Sequence, residues 1–221
     1  MPASRNKMRS REKVYVEFFG LSGAGKTTIL KALADKAAAG NLVITATDGF
    51  REFCRQGRLY RHIAPPLRDP LLTARLLGFV LKSRIRVGTI YKFFQSILVD
   101  HFIFSMLDFT HYLNDGLFHV IEDSLGNGEA LLDLFDYYPG RELILVHVDT
   151  SEESVRRRVW ARNGIALETA GLRSARDRNR RLFEFFRSQR GRGKISGVLR
   201  VDGDRPVEDN ADILNREIFG Q

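Results

Sequence analysis

The sequence predicts an α/β fold of three layers: a parallel five-stranded sheet with helices on both faces. Three observations predict it. Short β-branched or aromatic runs alternate with longer stretches of helical periodicity along the 221 residues, an order that calls for parallel pairing through crossover helices. Leu143 to Val148 is a continuous apolar run interrupted by His147 and closed by Asp149, as expected of a strand buried on both faces. A glycine-rich turn, Gly20 to Thr28, joins the first strand directly to the first helix.

Val14 to Phe19 is the first strand, and Lys26 to Ala39 the first helix, with Leu30, Leu33, Ala34 and Ala37 at helical spacing and Gly40-Asn41 as its stop. Leu42 to Thr47 reads as the second strand. Gly49 to Pro70, with scattered arginines and Pro65-Pro66, reads as an irregular or partly helical connection. Helices follow over about Leu71–Lys82 and Gly88–Leu107, then a strand over Phe109–Leu113 ending at Asn114-Asp115-Gly116, then helical material to Tyr138 interrupted at Gly126-Asn127-Gly128. After the Leu143–Val148 strand, Thr150 and Glu153 have capping-box spacing for a helix to about Arg162. Asn163 to Ser174 reads as a loop, Ala175 to Gln189 as an arginine-rich helix, and Gly191-Arg192-Gly193 as a turn. Val198 to Val201 is the last strand, and Pro206 to Phe219 the last helix, with Val207, Ala211, Leu214 and Ile218 on one face.

This length suits one domain, taken as residues 14–221 behind a flexible basic tail, residues 1–13. The tail has no apolar stretch suited to a secretory signal, and no uncharged apolar run is long enough to span a membrane. A single cysteine, Cys54, excludes an intrachain disulfide and a cysteine-cluster metal site. The expected location is the cytoplasm. A net charge of +8, carried largely by arginine, suits anionic ligands. Nucleic acid is disfavoured as main partner because no recognised module for it occurs. The histidines lack metal-ligand spacing; His147 reads as a satisfied core residue, and Trp160 and the aromatic run Tyr91–Phe109 as core.

The turn GLSGAGKTT fits G-x-x-x-x-G-K-[ST] in full: Gly20, Leu21, Ser22, Gly23, Ala24, Gly25, Lys26, Thr27 and Thr28. Between a strand and a helix this is a phosphate-binding loop. Its glycines let backbone N–H groups converge on phosphate oxygens, and the helix adds the positive end of its dipole. The pattern points to a nucleoside triphosphate, ATP with Mg2+, with Lys26 on the β and γ phosphates and the Thr27 hydroxyl on the metal. The guanine-reading N-K-x-D pattern is missing.

Three stretches resemble the P-loop kinases of the nucleoside-monophosphate kinase group, the thymidylate kinase branch in particular: VYVEFFGLSGAGKTTILKALA, LILVHVDTSEESVRRRVWARNG and VLRVDGDRPVEDNADIL. The resemblance implies a P-loop NTPase fold with a LID at about residues 156–176. It also implies that arginines at the end of the LID helix close on the transferring phosphoryl group. Arg158 and Arg162, one helical turn apart, take that role, with Arg157 to one side. Asp204, Arg205 and Pro206 fall in the adenine-side loop. Asp115 stands where the group places an acid before an arginine, here followed by Gly116. It could hold a magnesium-bound water, accept an acceptor's proton, or cap a helix.

The acceptor side departs from the thymidylate kinase pattern. Thr47-Asp48-Gly49-Phe50-Arg51-Glu52 stands in place of Arg-Glu-Pro-Gly-Gly-Thr. Asp48, Arg51, Arg55, Arg84 and Arg86 are the candidate acceptor contacts, Arg51 and Arg55 mildly favouring an anion. The expected activity is a small-molecule kinase, with a nucleoside monophosphate as leading acceptor. The alternatives are a kinase of a sugar, nucleoside or lipid-linked alcohol, and an ATP-binding regulatory module. Membrane-surface association through Leu71–Leu107 is a secondary expectation; a homodimer is compatible with the sequence.

Overall fold

The alternation resolves into a five-stranded, all-parallel sheet in a computed structural model, which describes residues 13–37, 43–54, 69–82, 87–107, 109–115, 132 and 135–220. Along the chain run β1 (Val14–Phe19), α1 (Lys26–Ala37), β2 (Val43–Thr45), α2 (Ala46–Cys54), α3 (Pro70–Lys82), α4 (Val87–Met106), β3 (His111–Asn114), β4 (Glu142–Asp149), α5 (Glu152–Asn163), α6 (Thr169–Ser188), β5 (Ile195–Asp202) and α7 (Val207–Phe219). The spatial order is β2-β3-β1-β4-β5. The central strand β1 registers Glu17 against Asn114 of β3 and Leu145 of β4, so the loop that follows β1 emerges at the middle of the carboxyl edge. Ligands of open parallel sheets gather there. The expected three-layer α/β P-loop architecture is the one found.

The period of two along β1 separates two cores. Tyr15 and Phe19 join residues of α3, α4 and α6, among them Leu76, Ile97, Phe102, Phe183 and Phe186. Val16 and Phe18 face the opposite layer, with Ile29 and Leu33 of α1 and Ala211 and Leu214 of α7. Full burial of each such aliphatic side chain contributes about 1.5–3 kcal/mol, which locks the helix following the glycine loop onto the sheet. Among the described residues no helix is long and apolar enough to cross a membrane.

Several element expectations shift. The second strand, expected to run to Thr47, ends at Thr45, and α2 opens at Ala46 and runs into the connection expected to be irregular or partly helical, because Thr45 caps it. The Thr45 hydroxyl accepts from the Asp48 N–H at 3.1 Å and donates to the Asp48 carboxylate at 2.8 Å, satisfying a free donor of the first turn. Helix α6 starts at Thr169, inside the expected loop. The cap of α5 is Ser151, which accepts from the Ser154 N–H; Thr150, the expected cap, turns its hydroxyl toward the glycine loop instead. Trp160 is exposed rather than core, since α5 buries Val155 and Val159 and its next turn faces outward. His147 is core, stacked between Phe19 and Phe183 with ring centroids at 4.9 and 5.4 Å, but its Nδ1 has no hydrogen-bond partner.

Candidate functional site

The glycine loop takes the backbone conformation its sequence demands. Gly20, Gly23 and Gly25 have φ of 141°, 84° and 97°, a region L-residues avoid. A Cβ at Gly20 would lie 2.4 Å from the Val148 carbonyl oxygen, so the loop fits against β4 only without one. Lys26 is buried and donates to the carbonyls of Gly20 and Leu21, each at 3.0 Å. Those bonds fold its ammonium back over the loop, beside a cavity of about 430 Å³ lined by Ser22, Gly23, Gly25, Thr27, Thr28 and Asp115 among others.

The Thr27 hydroxyl donates to the Asp115 carboxylate. Thr27 comes from the first turn of α1 and Asp115 from the residue after β3, so the fold joins two positions 88 residues apart. A hydroxyl and a carboxylate at the carboxyl edge, beside a phosphate loop, form an all-oxygen donor set. That chemistry fits Mg2+, which keeps most of its shell for water and phosphate oxygens.

The end of β3 is anchored from below. The Asn114 side chain donates to the Tyr15 hydroxyl at 2.5 Å, and the Tyr15 and Tyr112 hydroxyls donate to the buried carboxylate of Asp100 at 2.8 and 2.7 Å. Burial pushes the Asp100 carboxyl up to about 6, outweighing the two tyrosine hydrogen bonds that pull the other way. The network fixes the strand end from which Asp115 projects. Sequence reasoning missed it, because an aspartate inside an apolar helix pattern reads there as a solvent-facing position.

Arg158 and Arg162, one helical turn apart, both line the phosphate-loop cavity, but they differ in engagement. Arg158 donates to the Ala24 carbonyl at 3.1 Å and to the Gly203 carbonyl at 2.8 Å. The Thr150 hydroxyl donates to the same Ala24 carbonyl at 3.1 Å. In a trans peptide C=O and N–H point in opposite directions, so pinning the Ala24 oxygen aims the Gly25 N–H the other way. Arg158 thus braces the loop in this state. Arg162, in the last turn of α5, is exposed, and its Nε donates to the neighbouring Asn163 at 3.2 Å. Arg157 is exposed and does not line the cavity.

The loop after β5 approaches the glycine loop closely. A Cβ at Gly203 would meet the Thr150 hydroxyl at 2.0 Å and the Ala24 oxygen at 2.8 Å. Gly203 and Thr150 therefore position the glycine loop, a role that D-T after one strand and D-G after the next signal only faintly in the sequence. Asp204 accepts the Ser151 N–H at 2.8 Å. Hydrogen bonds from Ser154 and Ser151 outweigh the burial that would raise its carboxyl, and hold it below the usual range. Arg205 pairs with Asp202 at 3.7 Å, and Pro206 stands at the N-cap of α7. The three expected adenine-side residues lie together at the carboxyl end of β5.

Of the candidate acceptor contacts, Asp48 and Arg51 line a second cavity of about 230 Å³ between α1 and the start of α2, which opens at Thr27 and Asp115. They are ion-paired at 3.4 Å, both more than half exposed. Lys31, Asp35 and Thr47 share that cavity and were not singled out in the sequence. Arg55, Arg84 and Arg86 lie outside the described residues.

No protein-family model matches the chain, and no curated protein matches it. Solved structures similar to it include a shikimate kinase from Aquifex aeolicus vf5, with 13% identity and a TM-score of 0.43 over 93% of this chain and 96% of that one. A shikimate kinase from Acinetobacter baumannii in complex with shikimate has 14% identity and a TM-score of 0.46, over 96% and 94%. A Mycobacterium tuberculosis APS kinase in complex with AMPPNP and APS has 15% identity and a TM-score of 0.44, over 95% and 99%. At such identities the chemistry has to be read from this chain's own residues.

Proposed function

We propose that this protein is an ATP-dependent small-molecule kinase. The observation that carries the reading is the hydrogen bond between Thr27 and Asp115 at the mouth of a complete phosphate loop. It places a hydroxyl, a carboxylate and the Lys26 ammonium around one cavity, with Arg162 at its rim.

Bound there with magnesium, ATP would supply the transferable phosphoryl group. The residues of the chain do the rest by position and charge. Backbone N–H groups of Gly23 and Gly25 cradle phosphate oxygens, and the dipole of α1 adds positive potential. Lys26, held here by the carbonyls of Gly20 and Leu21, would turn to phosphate, and Thr27 and Asp115 would hold the cation. Arg162, exposed at the end of α5, would neutralise charge that builds on the moving group, while Arg158 keeps the loop in shape. An acceptor hydroxyl attacking phosphorus would give its proton to Asp115; a phosphate acceptor is already deprotonated and leaves Asp115 to the cation alone.

The leading acceptor is a nucleoside monophosphate, with Arg51 as the contact to its phosphate. A sugar or other polyol is the second reading, favoured by the three carboxylates, Asp35, Asp48 and Asp115, in the cavity beside the cation site. The test is an ADP-release screen over nucleoside monophosphates, nucleosides and sugars, with Lys26→Ala as blank. Acceptor-dependent release that the blank lacks supports the kinase. A flat panel, with ATP still bound, would overturn it in favour of a nucleotide-binding regulator.

A further inference from the structure

A second concentration of arginine lies away from the phosphate loop. Arg176 and Arg180 of α6 and Arg200 of β5 converge on one carboxylate, Asp149 at the end of β4. Arg176 Nε donates at 3.1 Å and Arg180 Nη2 at 3.1 Å, and Arg200 Nη2 donates to the same oxygen as Arg180. Asp149 is buried, whereas the guanidinium side chains are between a quarter and a half exposed. Burial would raise the Asp149 carboxyl, but its hydrogen bonds with Arg176 and Arg180 hold it below the usual range, so it is ionised at neutral pH. Three positive charges then meet one negative charge.

The neighbouring acids reduce this surplus without cancelling it, since the cavity lining as a whole carries four arginines and three aspartates. Asp202 is paired with Arg205, and Asp204 is taken by the start of α5. Each guanidinium carries five N–H donors, about fifteen in all, against the two oxygens of Asp149. These donors border a cavity of about 440 Å³ lined by Asp149, Arg176, Arg180, Arg200, Asp202, Asp204 and Arg205 among others. None of its lining residues lines the phosphate-loop cavity. Planar guanidiniums from two elements can each present paired donors to a tetrahedral anion, a geometry lysine does not offer.

We propose that this cavity is a second anion site, which takes the phosphate group of a small-molecule ligand independently of the glycine loop. The incoming anion shares the three guanidiniums with Asp149 and takes up N–H donors that the aspartate leaves over. The site borders the nucleotide side through backbone: the Asp149 carbonyl accepts the Gly203 N–H at 2.7 Å, and Gly203 in turn accepts from Arg158.

The test is calorimetric titration of inorganic pyrophosphate into the full chain carrying Lys26→Ala, which disables the glycine loop. It reads no kinase activity, so its outcome is separate from that of the kinase reading. Binding should persist in Lys26→Ala and weaken at least tenfold when Arg180→Gln and Arg200→Gln are added. Arg187→Gln, an exposed arginine of α6 that does not line the cavity, should leave it within about twofold, the size of a general charge effect. Arg200→Lys keeps the charge that compensates Asp149 and so keeps the fold, yet should still weaken binding several-fold. Loss of all pyrophosphate binding in Lys26→Ala would overturn the proposal. So would equal losses in Arg187→Gln and Arg200→Lys.

Discussion

The Thr27 hydroxyl donates to the Asp115 carboxylate, joining the first turn of α1 to the end of β3. Each residue alone has an ordinary alternative role, Thr27 as a helix residue and Asp115 as a cap. Side by side at the carboxyl edge of the sheet, next to Lys26, they form the oxygen-donor pair on which the proposed kinase reading rests. Replacing Asp115 by Asn keeps a hydrogen-bond acceptor for Thr27 but removes the charge. Turnover in Asp115→Asn should fall by about 10²-fold or more, on the scale of lost acid–base or metal positioning, with ATP affinity changed far less. Single-turnover assays alongside equilibrium nucleotide binding separate the two, and unchanged turnover would remove Asp115 from the mechanism.

Arg158 and Arg162 should separate kinetically although they share a helix face. Arg158→Ala releases the Ala24 and Gly203 carbonyls, so it should raise the KM for ATP and lower thermal stability. Arg162→Ala breaks no bond to the loop and should lower kcat with little change in KM or Tm. Steady-state kinetics paired with thermal melts read both, and indistinguishable variants would contradict the division.

Gly203→Ala places a methyl against the Thr150 hydroxyl and the Ala24 oxygen. Backbone has to move to accept it, at a cost of about 1–3 kcal/mol, and the motion reaches the glycine loop through Ala24. Lower denaturant midpoints together with weaker nucleotide binding are expected. Thr150→Val, nearly isosteric but without the donor, should weaken binding with a smaller stability loss.

Acid should destabilise the fold through His147. Burial holds its imidazole down at about 4, from an ordinary value of 6.5; the Arg200, Arg180 and Arg176 charges act the same way, and Asp149 opposes them. Between those two pH values the unfolded chain takes a proton that the folded chain refuses, so stability falls as pH drops from about 6.5 to about 4. The contribution is at most about 3 kcal/mol. Asp100 has the opposite sense in much of the same window: its carboxyl, raised to about 6, binds a proton more readily folded than unfolded, so it favours folding as pH drops. The difference between parent and His147→Leu isolates the histidine. That variant should show a flatter acid limb, and superimposable pH profiles would rule the effect out.

How much of this was legible in the sequence follows from how far apart the interacting residues lie. The strand Leu143–Val148, the helix after the glycine loop and the loop itself are local patterns, where periodicity and special backbone angles are written in adjacent residues. The α2 start was missed because Ala46 and Thr47 continue the largely β-branched run of the expected second strand, and the Thr45–Asp48 cap that ends it is a side-chain contact. The onset of α6 at Thr169 was missed because no capping side chain announces it.

The sequence by itself determined the phosphate loop, the parallel α/β architecture and the pairing of arginines along α5, since each depends on spacing within one segment. Tertiary structure decided what those parts do together. It alone set Asp115 against Thr27, turned Arg158 and Thr150 onto the Ala24 carbonyl, and gathered Arg176, Arg180 and Arg200 around Asp149. Those contacts join residues from 27 to 134 positions apart. Hydrogen-bond geometry across such separations is fixed by the register of β1, β3, β4 and β5 and by the helices packed on them, and no local pattern encodes it.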